Sequence, residues 1–351
     1  MIRKHFLKIF LATLIGTIIF SGCTKSNQSQ QQTGANVTTQ SIQAYFTANE
    51  GGSVSKIDVL TNKVVDTIKI DGAAHNVQIS PDGNTFAVTV IPGMANTGGN
   101  DQMPKMVGTV QIYDTKTDKL IKSVKVGNHP AHVVYTKDGN YLLVTNNQDN
   151  NVSVISAKDY KIIGTVPTGK EPHGFRISND SKYAYIANMG EDTVSVIDIP
   201  NLKELKKIKV GKTPVTTGIS NDGNTLVVTS NAEDALYIVD LATGKADKIA
   251  VGKGPAQVYL ENDDKYAFVA NQGTEQSPSN SVSKIHMSTK KVITNIITGN
   301  GAHGFVVSSD NKYVYVTNMY DNTVSVIDNN TNSVVNTVQV GKEPNGISYF
   351  K

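Results

Sequence analysis

From Ala44 onward, β-branched and aromatic residues alternate with small or polar ones in short runs, and turn residues interrupt the runs every six to ten positions. A period of two in short runs predicts half-buried strands. Four such runs make one unit. In one copy they are an inner strand at 173–177, a second at 183–187, a third at 194–197 and an outer one at 204–210. The first turn of the unit is written Pro81-Asp82-Gly83, Asp138-Gly139 or Asn221-Asp222-Gly223. Glycine accepts the positive φ that such hairpin turns require. The third strand ends in Asp58, Asp114, Asp198, Asp240 or Asp328, with Ser156 and His286 in the same slot elsewhere.

Each unit closes on a glycine, at 127, 169, 211, 252, 299 and 341, so the intervals are 42, 42, 41, 47 and 42 residues. That is a propeller or solenoid period. Inner strands are predicted near 75, 131, 173, 215, 256, 303 and 345. The array begins with a second, third and outer strand (44–70) and ends with a lone inner strand (345–350). The two ends must meet in one blade, because an open edge invites aggregation. The predicted fold is all-β: a seven-bladed β-propeller of four-stranded blades over 42–351.

The phrases Tyr313-Val314-Tyr315-Val316-Thr317-Asn318, Val324-Ser325-Val326-Ile327-Asp328 and Val340-Gly341-Lys342-Glu343-Pro344-Asn345-Gly346 resemble the YVTN repeats of bacterial and archaeal seven-bladed propellers. The resemblance implies that fold and a surface-layer, lipoprotein or periplasmic protein. It extends distantly to lactonases and to the propeller of nitrous oxide reductase. Fold alone assigns no activity.

The absence of Trp removes both the Trp-Asp repeat and tryptophan-docking motifs. Residues 1–22 read as a signal peptide, with Arg3, Lys4 and Lys8 before an apolar run too short for a membrane span. Phe20-Ser21-Gly22-Cys23 is similar to a bacterial lipobox, and Cys23, the only cysteine, is the expected lipid attachment site. Residues 23–41 are mostly Ser, Thr, Gln, Asn and Gly and are expected to form a disordered tether. The expected location is the extracytoplasmic face of a bacterial membrane. Losing three basic residues with the signal balances the formal charge of +3. A balanced surface argues against nucleic acid and leaves a protein or other cell-envelope partner, with the chain acting as a monomer.

Candidate chemistry gathers where inner strands begin. His75, His173 and His303 share one register, and His132 is one place further on. Converging imidazoles suit a transition metal, for which His75, His173 and His303 are the predicted ligands. Met94, Met103, Met106, Met189 and Met319 fall in loops on this face, so copper is conceivable, although no cofactor is demanded. Ala131, Val215, Ala256 and Asn345 occupy the histidine register elsewhere, as repeated wet linings would. Arg176 lies on the opposite parity from Phe175 and Ile177, with Gln78, Gly218 and Ser348, and could hold an anion or pair with a carboxylate. His129 and His286 receive no role. Two insertions, 91–107 and 273–280, interrupt the short loops. No nucleophile elbow, phosphate loop or metalloprotease helix is present. The expectation is a binding or protein-interaction module, the alternative a metal-binding protein or lactonase-like enzyme using the four histidines.

Overall fold

The computed structural model describes residues 43–93 and 106–349. The predicted signal, Cys23, the tether and most of the 91–107 insertion, Met94 and Met103 included, lie outside the described residues. Those described form seven four-stranded antiparallel sheets, as predicted. Blade 1 holds Ala44–Asn49, Ser53–Asp58 and Lys63–Lys69 with an inner strand from the far end of the chain, Pro344–Tyr349. Blades 2 to 7 follow in order, with inner strands Ala73–Ile79, Pro130–Tyr135, Pro172–Ile177, Pro214–Ile219, Pro255–Leu260 and Ala302–Val307. Consecutive inner strands touch around the ring.

Burial runs radially. Second strands such as Tyr313–Asn318 are buried on both faces after their first residue, because neighbouring blades cover both sides. Outer strands such as Ser333–Gln339 are largely exposed and keep the alternation of a strand wet on one side. The first turns close as the sequence requires: Ser80, Thr136, Ser178, Ser220 and Ser308 each donate a hydroxyl to the Asp two residues on, at 2.5–2.6 Å. Where the glycine is missing, Ser181, Asp264 and Asn311 adopt positive φ in its place.

The last positions of the second strand, Thr-Asn at 145–146 and 317–318, have two jobs that other blades share in part. The Thr hydroxyl crosses to the next blade: Thr89 donates to the Ala131 carbonyl (2.7 Å), Thr145 to that of His173 (2.8 Å) and Thr317 to that of Asn345 (3.0 Å). The Asn amide donates to a Ser on the third strand, as in Asn146 to Ser153 (2.8 Å), Asn188 to Ser195 (3.0 Å) and Asn318 to Ser325 (2.9 Å). The period-marking glycine lies over that Asn. A Cβ at Gly299 would stand 2.8 Å from the Asn318 amide, and at Gly169 2.5 Å from that of Asn188. The glycine therefore repeats for space. Asn318→Ala and Gly299→Ala are each expected to cost about 1–3 kcal/mol, by lost hydrogen bonds and by overpacking respectively. Together they should cost less than their sum, since removing the amide vacates the space. Urea midpoints of the four proteins check this; strict additivity would contradict it.

Closure occurs where predicted. Pro344–Tyr349 pairs antiparallel with Ala44–Asn49, in the register Tyr45 to Tyr349 and Thr47 to Ile347. Tyr315 lies between Tyr45 and Tyr349, with ring centroids 4.6 and 5.8 Å away. The 273–280 insertion differs from expectation: Tyr266–Thr274 and Ser277–His286 extend as one long hairpin, with Gly273 paired to Pro278 and taking the positive φ at its bulge.

Candidate functional site

Where inner strands begin, their pairing with the second strand breaks step: between Ala74 and Asn76 in blade 2, Pro130 and Val133 in blade 3, and Pro172 and Phe175 in blade 4. These bulges let two successive positions turn toward the axis. As a result His75, His132 and His173, from three consecutive blades, converge, each offering one nitrogen within 4.8 Å of the others. Ring centroids are 5.4 Å apart for His75 and His173, 4.9 Å for His132 and His173, and 6.0 Å for His75 and His132. Thr145 ties two of the three backbones together, accepting from the N–H of His132 (3.0 Å) and donating to the carbonyl of His173 (2.8 Å).

Neighbouring acceptors fix the tautomers. His75 Nδ1 is 2.8 Å from Glu50 Oε1, and His173 Nδ1 is 3.3 Å from the Val215 carbonyl. Both partners only accept, so Nδ1 carries the proton, and in a neutral imidazole Nε2 is left with a lone pair. Those two Nε2 atoms face each other at 3.3 Å. Two lone pairs at that distance repel unless a metal ion or a single shared proton lies between them. Burial, then the imidazoles of His75 and His303, hold His173 well below the ordinary histidine pKa. His132 is 1% exposed, and neither of its ring nitrogens has a hydrogen-bond partner. Burial, then His173, His75 and Arg176, push its pKa well down too. Glu50 completes the arrangement. Burial raises its pKa, but hydrogen bonds from His75 and Asn345 (2.7 Å) outweigh this and hold it below the usual carboxylate value.

The converging set therefore differs from the predicted one. His132 joins, and His303 stands outside the trio, its Nδ1 3.4 Å from the Gln257 amide nitrogen. Burial, then His75, bring its pKa down to about 4. Among the methionines, Met106 packs on Ala73 and Ile91, and Met319 accepts from Gln272 (3.3 Å). Arg176 is half-buried three residues beyond His173 and pairs with no carboxylate among the described residues. Sequence reading missed Glu50, which the Asn49–Ser53 turn brings to this face. The signal was present: the residue after the terminal Asn or Ser of a second strand is Glu50, Asn147, Met189, Asn231, Gln272 or Met319, and only Glu50 is charged.

The family model of YNCE-like beta-propellers matches residues 102–350. The chain belongs to that family. A choice-of-anchor I domain model also matches residues 33–154 of this YNCE-like propeller. No match was found among curated protein sequences. Solved structures of similar fold include Kuenenia stuttgartiensis hydrazine synthase, at 22% identity and TM-score 0.68 over 78% of this chain and 89% of that one. Another is the dihydro-heme d1 dehydrogenase NirN in complex with DHE, at 16% identity and TM-score 0.62 over 85% of this chain and 64% of that one. A third is a Bacteroides fragilis protein described as a candidate 6-phosphogluconolactonase, at 16% identity and TM-score 0.68 over 90% of this chain and 99% of that one. At these identities the likeness shows the fold, and their different roles pass nothing on to the site.

Proposed function

We propose that this YNCE-like propeller is a lipid-anchored, extracytoplasmic metal-binding module that takes one zinc or copper ion on His75, His132 and His173. The observation that carries this reading is the facing pair of Nε2 atoms at 3.3 Å. Two nitrogens bound at 2.0–2.1 Å to one tetrahedral zinc stand about 3.3–3.4 Å apart. His132, buried without a partner, supplies a third donor, and the Glu50 carboxylate on His75 is the outer support that metal-binding histidines ordinarily have. Three protein ligands leave a fourth position for water or another small ligand, as in metal sites that bind or react rather than merely brace a fold.

Untagged protein stripped with chelator and titrated with zinc or copper should take up one ion per chain. His75→Ala with His173→Ala should weaken uptake at least 100-fold, and Glu50→Gln about 10–100-fold. Equal, weak uptake by parent and double variant would overturn the reading. The anchor rests on the lipobox-like Phe20-Ser21-Gly22-Cys23. Cys23→Ala should move the folded protein from the detergent to the aqueous phase, and unchanged retention would count against lipidation at Cys23.

A further inference from the structure

The inner strands end at the other mouth of the channel, around a cavity of about 420 Å³ bordered by all seven of them. That is within the size range of small-molecule sites. Its walls mix apolar side chains, including Val134, Tyr259, Leu260, Phe305 and Val306, with polar ones such as Gln78 and Ser348. One charge stands on the strands themselves. Arg176 is the only arginine after Arg3, in a chain that uses lysine for every other side-chain cation of the propeller.

Arg176 is held by its surroundings but not neutralised. Nη1 donates to the Phe175 carbonyl at 2.9 Å, and the guanidinium carbon stands 5.5 Å from the Tyr259 ring centre. The donors along the Nε–Nη2 edge meet no protein acceptor among the described residues. Three carboxylates also line the cavity, and each is engaged elsewhere. Asp82 takes Ser80 (2.6 Å) and Asn84, Glu261 takes the Asn329 amide, and Asp264 takes the Asn221 N–H (2.7 Å). A half-buried guanidinium without a counter-charge is costly, and its free edge matches a carboxylate in two parallel hydrogen bonds.

We propose that this cavity binds a small organic monocarboxylate, paired through the Nε–Nη2 edge of Arg176, with its apolar body against Tyr259 and Val306. Two cations, Arg176 and the rim residue Lys137, against three lining carboxylates leave the lining with a net negative charge, which disfavours dianions such as phosphate more than monoanions. The site is distinct from the histidine cluster, and its occupancy does not depend on metal.

The test uses benzoate, cinnamate and hexanoate against their matched amides, by calorimetry and ligand-observed NMR on metal-free protein at low salt. At least one acid should bind the parent tenfold or more tightly than its amide. Arg176→Gln should lose that preference, while the His75→Ala, His173→Ala protein should keep it, which separates this site from the metal reading. Inorganic phosphate at millimolar concentration should fail to displace the bound acid. The proposal is overturned if no acid outcompetes its amide, if Arg176→Gln binds within twofold of the parent, or if phosphate displaces the acid as well as a second carboxylate does. The acid, amide and phosphate comparisons use the parent alone, so they decide the matter even if the variant does not fold.

Discussion

Removing residues 344–351 should abolish cooperative unfolding rather than merely lower its midpoint. The deleted inner strand covers Tyr45 and Phe46, both essentially unexposed, and it carries Ile347 and Asn345 into the ring. Without it blade 1 keeps three strands, and both it and blade 7 lose the neighbour that buries their inner edges. Several buried apolar side chains at about 1.5–3 kcal/mol each exhaust the roughly 5–15 kcal/mol that stabilises a typical domain. Circular dichroism on heating measures this. Val335→Thr, on an exposed position of an outer strand, should leave the curve within a degree or two. A synthetic peptide of residues 340–351 added to the truncated chain should restore a transition. An unaltered melting curve for the truncated protein would rule out the closure.

The second large effect is on acid stability. His132, His173 and His303 all have folded-state pKa values below the ordinary 6.5, in each case chiefly through burial. Below pH 6.5 the unfolded chain therefore binds more protons than the folded one, and stability must fall as pH falls. For His303 the contribution is complete above about pH 6.5 and is lost progressively toward about pH 4. A shift of that size corresponds to about 3 kcal/mol over the full window. The other two histidines act in the same direction, so stability should drop by more than one proton's worth per pH unit between pH 6 and 5. Glu50, whose folded pKa is depressed, adds a further loss only when pH falls below the usual carboxylate range. Urea midpoints at pH 7, 6 and 5 test this. His303→Gln should flatten the dependence, and a parent whose stability does not change from pH 7 to 5 would contradict it.

The architecture was legible because it is written several times over. Asp-Gly turns, alternating strands and a glycine every 42 residues or so repeat the same local instructions, and repetition averages out each irregular copy. Even the seam was legible, since an array that starts at a second strand and ends at an inner one has one arrangement without open edges. The site was legible only in part. Register pointed to His75, His173 and His303 as equivalent, but register says nothing of position around the ring: His75, His132 and His173 come from three consecutive blades, and His303 from a blade adjacent to none of theirs. His132, one place out of register, reaches the axis, while equivalent His303 joins Gln257. Glu50 was hidden for a different reason: it is 25 residues from His75, and only the third dimension makes the two adjacent. Arg176 was noticed from strand parity, but whether a carboxylate answered it depended on how Asp82, Glu261 and Asp264 were already committed.

Glu50 and Asn345, which meet beside His75, are 295 residues apart in sequence. Contacts of such separation form late, because the intervening chain must first be ordered. A chain still being synthesised has made Glu50, His75, His132 and His173 well before the last strand emerges. Until that strand arrives the carboxylate lacks its amide partner, and the turn bearing Glu50 lacks the backbone acceptors of Lys342 and Glu343. The surroundings of His75 are thus completed last: a propeller lacking its final strand holds Glu50 and the three histidines but not the contacts that fix Glu50 beside His75.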